Sequence, residues 1–174
     1  MLQSVLALIL LLPQVPADRS RIVVERSRVG TVSIGATAEA VYREFRDRAR
    51  LVDLKLEGML SPALELKLFG AQVSASLIAE LGAANNELVV TRINVVDPTL
   101  RTRDGIGVGS TYGELRSKYA VDWVGTGEGK AFARVESLAI SFQLDNSGPT
   151  PFWSIRDPSK VPVDIRIVSM LLTR

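Results

Sequence analysis

The stretch RTRDGIGVGSTYGEL, Arg101 to Leu115, decides how this chain is read. Gly105, Gly107 and Gly109 alternate between two arginines and a Ser-Thr pair that opens a helix-like segment. A phosphate-binding loop would close on Gly-Lys-Ser/Thr, and a dinucleotide fingerprint would space its glycines G-x-G-x-x-G inside a parallel βαβ unit. Neither pattern is present. Alternate glycines in a strand fall on one side of it, and Thr111 with Glu114 has capping-box spacing. The stretch therefore reads as a strand feeding a capped helix. A small anionic or glycan ligand remains the alternative, held by Arg101, Arg103, Ser110 and Thr111, because exposed N–H groups at a helix start attract anions.

An earlier segment carries the same ending. Shifting the chain by 74 residues lays Ile34-Gly35-Ala36-Thr37 on Val108-Gly109-Ser110-Thr111, and Val41 and Phe45 on Leu115 and Tyr119. The same shift places Leu64, Leu66 and Leu68 on Leu138, Ile140 and Phe142, and Arg92-Ile93 on Arg166-Ile167. Separated blocks sharing one offset indicate an internal repeat. The first copy has Thr31 and Ser33 where the second has Gly105 and Gly107, so only the last glycine and the cap are common. Those two serve strand-to-helix geometry.

Each copy then reads as a strand, a helix and several further strands. Thr37 caps a helix whose apolar stripe is Val41, Phe45, Ala49 and Val52. Behind it, Val52, Leu54 and Leu56 alternate with Asp53, Lys55 and Glu57 as a half-buried strand should. Leu64 to Leu68, Val73 to Ala79 and Val89 to Val95 repeat the alternation. In the second copy the apolar phase changes between Val135 and Leu138, which implies a bulge or tight turn at Glu136 and Ser137. Trp123, just after the second helix, is expected in the core. The expected fold is α+β: two similar halves, 31–97 and 98–174, each one helix packed on a mainly antiparallel sheet.

Residues 1–17, MLQSVLALILLLPQVPA, have the uncharged apolar core and small-residue end of a secretory signal, with Val15 and Ala17 before a cleavage at Asp18. The apolar run is too short to span a bilayer, so no stable membrane span is expected after processing. Residues 18–30 carry a dense basic run and read as a solvated N-terminal arm. A periplasmic or secreted bacterial protein is the expected destination. The chain has no cysteine, which excludes a lipid anchor of the lipoprotein type and any disulfide.

Twenty-one basic against 19 acidic residues leave a formal charge of +2, with no clustered basic face interleaved with aromatics, so nucleic acid is not an expected partner. The chain also lacks histidine, which with the missing cysteine removes the commonest general base, thiolate chemistry and the usual transition-metal ligands. No catalytic residue, metal site or cofactor is expected. Glu57-Gly58 and Glu128-Gly129 read as strand ends entering turns, and Asp97-Pro98 as a turn opener between the halves.

The copies differ most at NSGPTPFWSIRDPSKVP, Asn146 to Pro162, where prolines remove backbone donors and fix φ. Phe152, Trp153 and Arg156 on this extended loop form the expected partner-binding set, since large aromatics on such loops anchor protein contacts. The alternative is that Trp153 covers a sheet edge.

The run DGIGVGSTYGELRSKY, with its Arg101-Thr102 lead, resembles uncharacterised secreted bacterial proteins in which R-T-x-x-G-I-x-V-G-S/T precedes a short helix ending in tyrosine. The tandem plan is similar to that of β-lactamase inhibitory protein and related small envelope modules. Those are binding proteins, and the resemblance implies a non-catalytic module that engages another protein of the envelope or secreted space. The departures are the helical hairpin and the disulfides of those repeats, neither of which this chain has room or residues for.

Overall fold

The computed structural model describes residues 22–174 except 57, 73 and 149–153. Three short strands come first, β1 (Val23–Glu25), β2 (Arg28–Val29) and β3 (Val32–Ser33), and helix α1 (Ala38–Phe45) follows. A meander β4 (Ala49–Leu56), β5 (Met59–Leu66), β6 (Leu77–Ala84) and β7 (Glu87–Val95) leads to β8 (Arg101–Thr102) and helix α2 (Tyr112–Lys118). The chain ends in β9 (Trp123–Gly127), β10 (Lys130–Val135), β11 (Ile140–Leu144) and β12 (Ile167–Leu172).

The two meanders do not form two sheets. β7 pairs with β12 in the register Val95↔Met170 and Ile93↔Leu172, giving one eight-stranded antiparallel sheet in the order β4-β5-β6-β7-β12-β11-β10-β9. A second sheet, β3-β2-β1-β8, includes a parallel pairing of Val23 with Arg101 and Val24 with Thr102. The expectation of two halves, each with a helix on its own sheet, is thereby corrected, and the protein is mostly β. The physical reason is that the last strand of each meander would otherwise expose a full row of unpaired backbone groups. Each edge removes the other, and two helices of eight and seven residues are too short to dominate the fold.

What the offset of 74 marks is a pair of equivalent helix starts. Gly35 N–H donates to Val90 O at 2.7 Å and Val90 N–H to Ala36 O at 2.8 Å, while Gly109 N–H donates to Ile167 O at 2.7 Å and Ile167 N–H to Ser110 O at 2.8 Å. Each bond pair ties the residues before a helix to one of the two seam strands. Thr37 Oγ1 then accepts from Ala40 N–H, and Val41 and Phe45 turn one stripe of α1 into the core.

Register assigns every strand residue to one of two faces. Leu64, Ala79, Ile93, Leu172, Ile140 and Val135 lie on the covered face, and all are buried against α1, α2 and the small sheet. Each fully buried large aliphatic there contributes about 1.5–3 kcal/mol. The described part of the segment read as a solvated arm, residues 22–30, belongs to this layer, because Val24 and Val29 on β1 and β2 are buried. The phase change after Val135 is a 3-10 turn, Glu136–Leu138, closed by Ala139 in the left-handed region at φ 53°. Asp97 opens its turn as expected, its Oδ1 accepting from Thr99 N–H at 2.8 Å. The third strand of the first meander starts at Leu77, later than its alternation suggests, and Val73 lies outside the described residues.

Candidate functional site

The glycine-rich stretch does not leave an anion cradle at the start of α2. Tyr112 N–H donates to Ile165 O at 2.7 Å, Gly113 N–H to Val163 O at 2.8 Å, and Glu114 N–H to Thr111 Oγ1 at 3.2 Å. The Glu114 carboxylate accepts from Thr111 N–H at 2.6 Å, completing the capping box and placing a negative charge where an anion would sit. Arg101 and Ser110 are brought together, but the guanidinium donates to the Ser110 hydroxyl at 2.9 Å, and Gly107 N–H donates to the same oxygen at 3.3 Å. Gly107 is buried where an added Cβ would stand 2.5 Å from Leu100 O, so this glycine exists to let β8 pass. Arg103 is exposed and separate, beside Glu25, Arg26, Asp104 and Tyr119 in a shallow cleft.

Phe152 and Trp153 lie outside the described residues. Arg156 is exposed, and its guanidinium donates to the adjacent Ile155 O at 3.0 Å.

The open face of the large sheet is the other candidate surface. Its residues include Val52 and Leu54 on β4, Met59 and Ser61 on β5, Glu80 on β6, Arg92 and Asn94 on β7, Gln143 on β11, and Phe132 and Arg134 on β10. None of them belongs to the core cluster. Polar ladders run across this face. Arg134 donates to Thr173 Oγ1 at 2.9 Å, and Ser169 to Gln143 Oε1 at 3.0 Å. Arg92 lies 3.3 Å from Glu80 and 3.7 Å from Glu128. Glu128 stands in the β9–β10 turn, and a flat sheet would hold β7 and β10 about 14 Å apart. The contact therefore bridges strands and closes one side of a depression of about 390 Å³ lined also by Met59, Ser61, Thr91 and Thr173.

Two large apolar side chains of this face have little cover: Met59, which lines the depression, at 69% exposure, and Trp123, opposite Arg134 on β9, at 45%. Trp123 is not in the core, contrary to expectation. Its ring lies over Gly125, where a Cβ would come within 2.2 Å of it, so an i, i+2 glycine lets the indole lie flat on the sheet. A Trp-x-Gly pattern within a strand is the sequence signal that could have shown this. Met59 follows Gly58 directly, and a Met-Leu pair just after a turn is the corresponding signal there.

Burial pushes the Glu80 carboxyl above its ordinary value of 4.5, opposed by Arg92 and reinforced by Glu128. An acid held this way binds its proton more tightly folded than unfolded. Stability from this group is therefore gained as pH falls through its folded pKa toward 4.5, and is fully present below that value. Urea unfolding of wild type and Glu80→Gln across this interval should diverge, with wild type gaining relative to the variant at the acid end. Parallel profiles would contradict the assignment.

No family model and no curated protein matches the chain. Its structure is similar to the crystal structure of the uncharacterized protein yfeY from Escherichia coli, with a TM-score of 0.58 and 12% sequence identity over 88% of this chain and 99% of that one. At that identity the likeness shows the fold alone, and nearly the whole of that chain shares it.

Proposed function

We propose that this protein is a non-catalytic binding module of the periplasm or secreted space that engages another envelope or secreted protein with the open face of its eight-stranded sheet. The observation that carries the reading is that one open sheet face presents two exposed apolar anchors, Met59 and Trp123, the first at a depression where Arg92 pairs with both Glu80 and Glu128. Exposed apolar groups of this size beside polar side chains that pair across strands have the make-up of a protein interface: anchors for affinity, a polar surround for orientation. With Arg92 facing Glu80 and Glu128, and Arg50 facing Glu65, the face has little net field with which to draw a polyanion. The apolar 1–17 segment supports the compartment. A small anionic ligand at Arg101, Arg103, Ser110 and Thr111 is the weaker reading, because three of those four already hold partners within the chain.

The test is affinity for a partner recovered by crosslinking from the native envelope. Met59→Asp and Trp123→Ala should each weaken that complex at least about tenfold while leaving the melting temperature within a few degrees, since anchor truncations commonly cost 1–4 kcal/mol. Glu44→Lys, on the solvent side of α1, should leave it unchanged. Equal affinity across all three variants would remove the open face from the interface.

A further inference from the structure

The terminal strand β4 pairs with β5 on one side and, among the described residues, meets no strand on the other. It runs eight residues in unbroken register with β5, from Ala49↔Leu66 to Leu56↔Met59, with no proline and no bulge to spoil its outer side. Such edges are ordinarily shortened, bent or covered. The ladder fixes which groups point outward. Lys67 N–H donates to Arg48 O at 2.9 Å, so even-numbered residues of β4 bond to β5 and the backbone groups of Leu51, Asp53 and Lys55 face away. Among the described residues nothing accepts or donates to them. The hairpin also carries three of the largest exposed apolar side chains, Leu51 at 64%, Met59 at 69% and Leu60 at 71%.

We propose that β4 pairs antiparallel with β4 of a second copy of this chain, with Leu54 on the two-fold axis and Asp53 opposite Lys55 of the other copy. The charges select this register. Outward-facing residues must meet outward-facing residues, which leaves few alignments. A two-fold at Asp53 opposes two aspartates, one at Lys55 opposes two lysines, and one at Val52 sets Asp53 against Leu51 and Arg50 against Leu54. Within the strand itself, Ala49–Leu56, only the two-fold at Leu54 places unlike charges opposite each other, twice by symmetry, and lets Leu54 meet its mate on the other face. Each Asp53–Lys55 pair exchanges two backbone hydrogen bonds as well as its charges. The other edge, β9, is shorter and carries Gly125 and Gly127, which weaken it as a template. The result is one sheet continuous across both copies, with both open faces on the same side and unobstructed.

This inference is independent of the reading of the open face. Sedimentation equilibrium of the purified protein should show a monomer–dimer equilibrium. Asp53→Lys alone and Lys55→Asp alone should each raise the dimer dissociation constant at least about tenfold, since each reverses two cross-strand pairs. An equimolar mixture of the two variants should dimerise with near wild-type affinity, because in this register each then meets the opposite charge. That rescue also shows that both variants fold. A wild-type protein monomeric up to about 1 mM, a dimer indifferent to both reversals, or a mixture no tighter than its components would overturn the pairing. A monomer would also leave the edge to a strand of a different protein.

Discussion

Phe142→Ala is expected to cost about 3–5 kcal/mol and to loosen the whole sheet at once. Phe142 is fully buried on β11 opposite Met170, and Met170 pairs with Val95 across the seam. The truncation leaves a cavity beside the strand pairing that joins the two meanders. Because that join makes one sheet, amides of β5 to β7 should lose hydrogen-exchange protection together with those of β10 to β12, in a single unfolding transition. Two independent halves would instead confine the loss to residues 98–174. Exchange measured on both meanders of the variant separates these outcomes.

Gly107→Val is expected to destabilise by about 3 kcal/mol or more, at the top of the range for forced overpacking. The new Cβ would stand 2.5 Å from Leu100 O and 2.7 Å from Arg101 Cδ, and backbone cannot yield as a flexible side chain does. Relief requires β8 to move, which breaks the Arg101–Ser110 bond and the pairing of β8 with β1. Gly109→Ala provides the contrast. That position has φ +89° with nothing near its Cβ, so its cost is conformational and about 1–2 kcal/mol. Thermal unfolding of the two variants should therefore rank Gly107→Val well below Gly109→Ala. The reverse order would return the alternating glycines to a functional role.

Much of the local structure is legible in the residues. The alternation of Val52, Leu54 and Leu56 marks β4, that of Leu64 and Leu66 marks β5, and Ile93 and Val95 mark β7. Thr37 and Thr111 cap their helices as their spacing implies. What period-2 alternation does not encode is which strand lies beside which. Val95 would alternate identically whether its neighbour were Met170, another chain or water, so the seam that turns two expected halves into one sheet has no local signature. The same holds for the start of α2, whose donors are taken by Val163 O and Ile165 O from some fifty residues downstream. Trp123 illustrates a different failure. Its size argues for burial, yet Gly125 beneath it and its place on an edge strand leave it facing outward. The Phe152-Trp153 loop lies outside the described residues, so the open face rests on Met59 and Trp123 instead.

The claim that the open face is the working surface is tested most directly by photo-crosslinking in the native envelope. A photoreactive amino acid would replace Met59 in one variant and Glu44, on the outer side of α1, in another. One discrete crosslinked protein is expected from position 59 and none from position 44. A crosslink from position 44 alone, or silence at position 59 while a partner still co-purifies in stoichiometric amount, would contradict the claim.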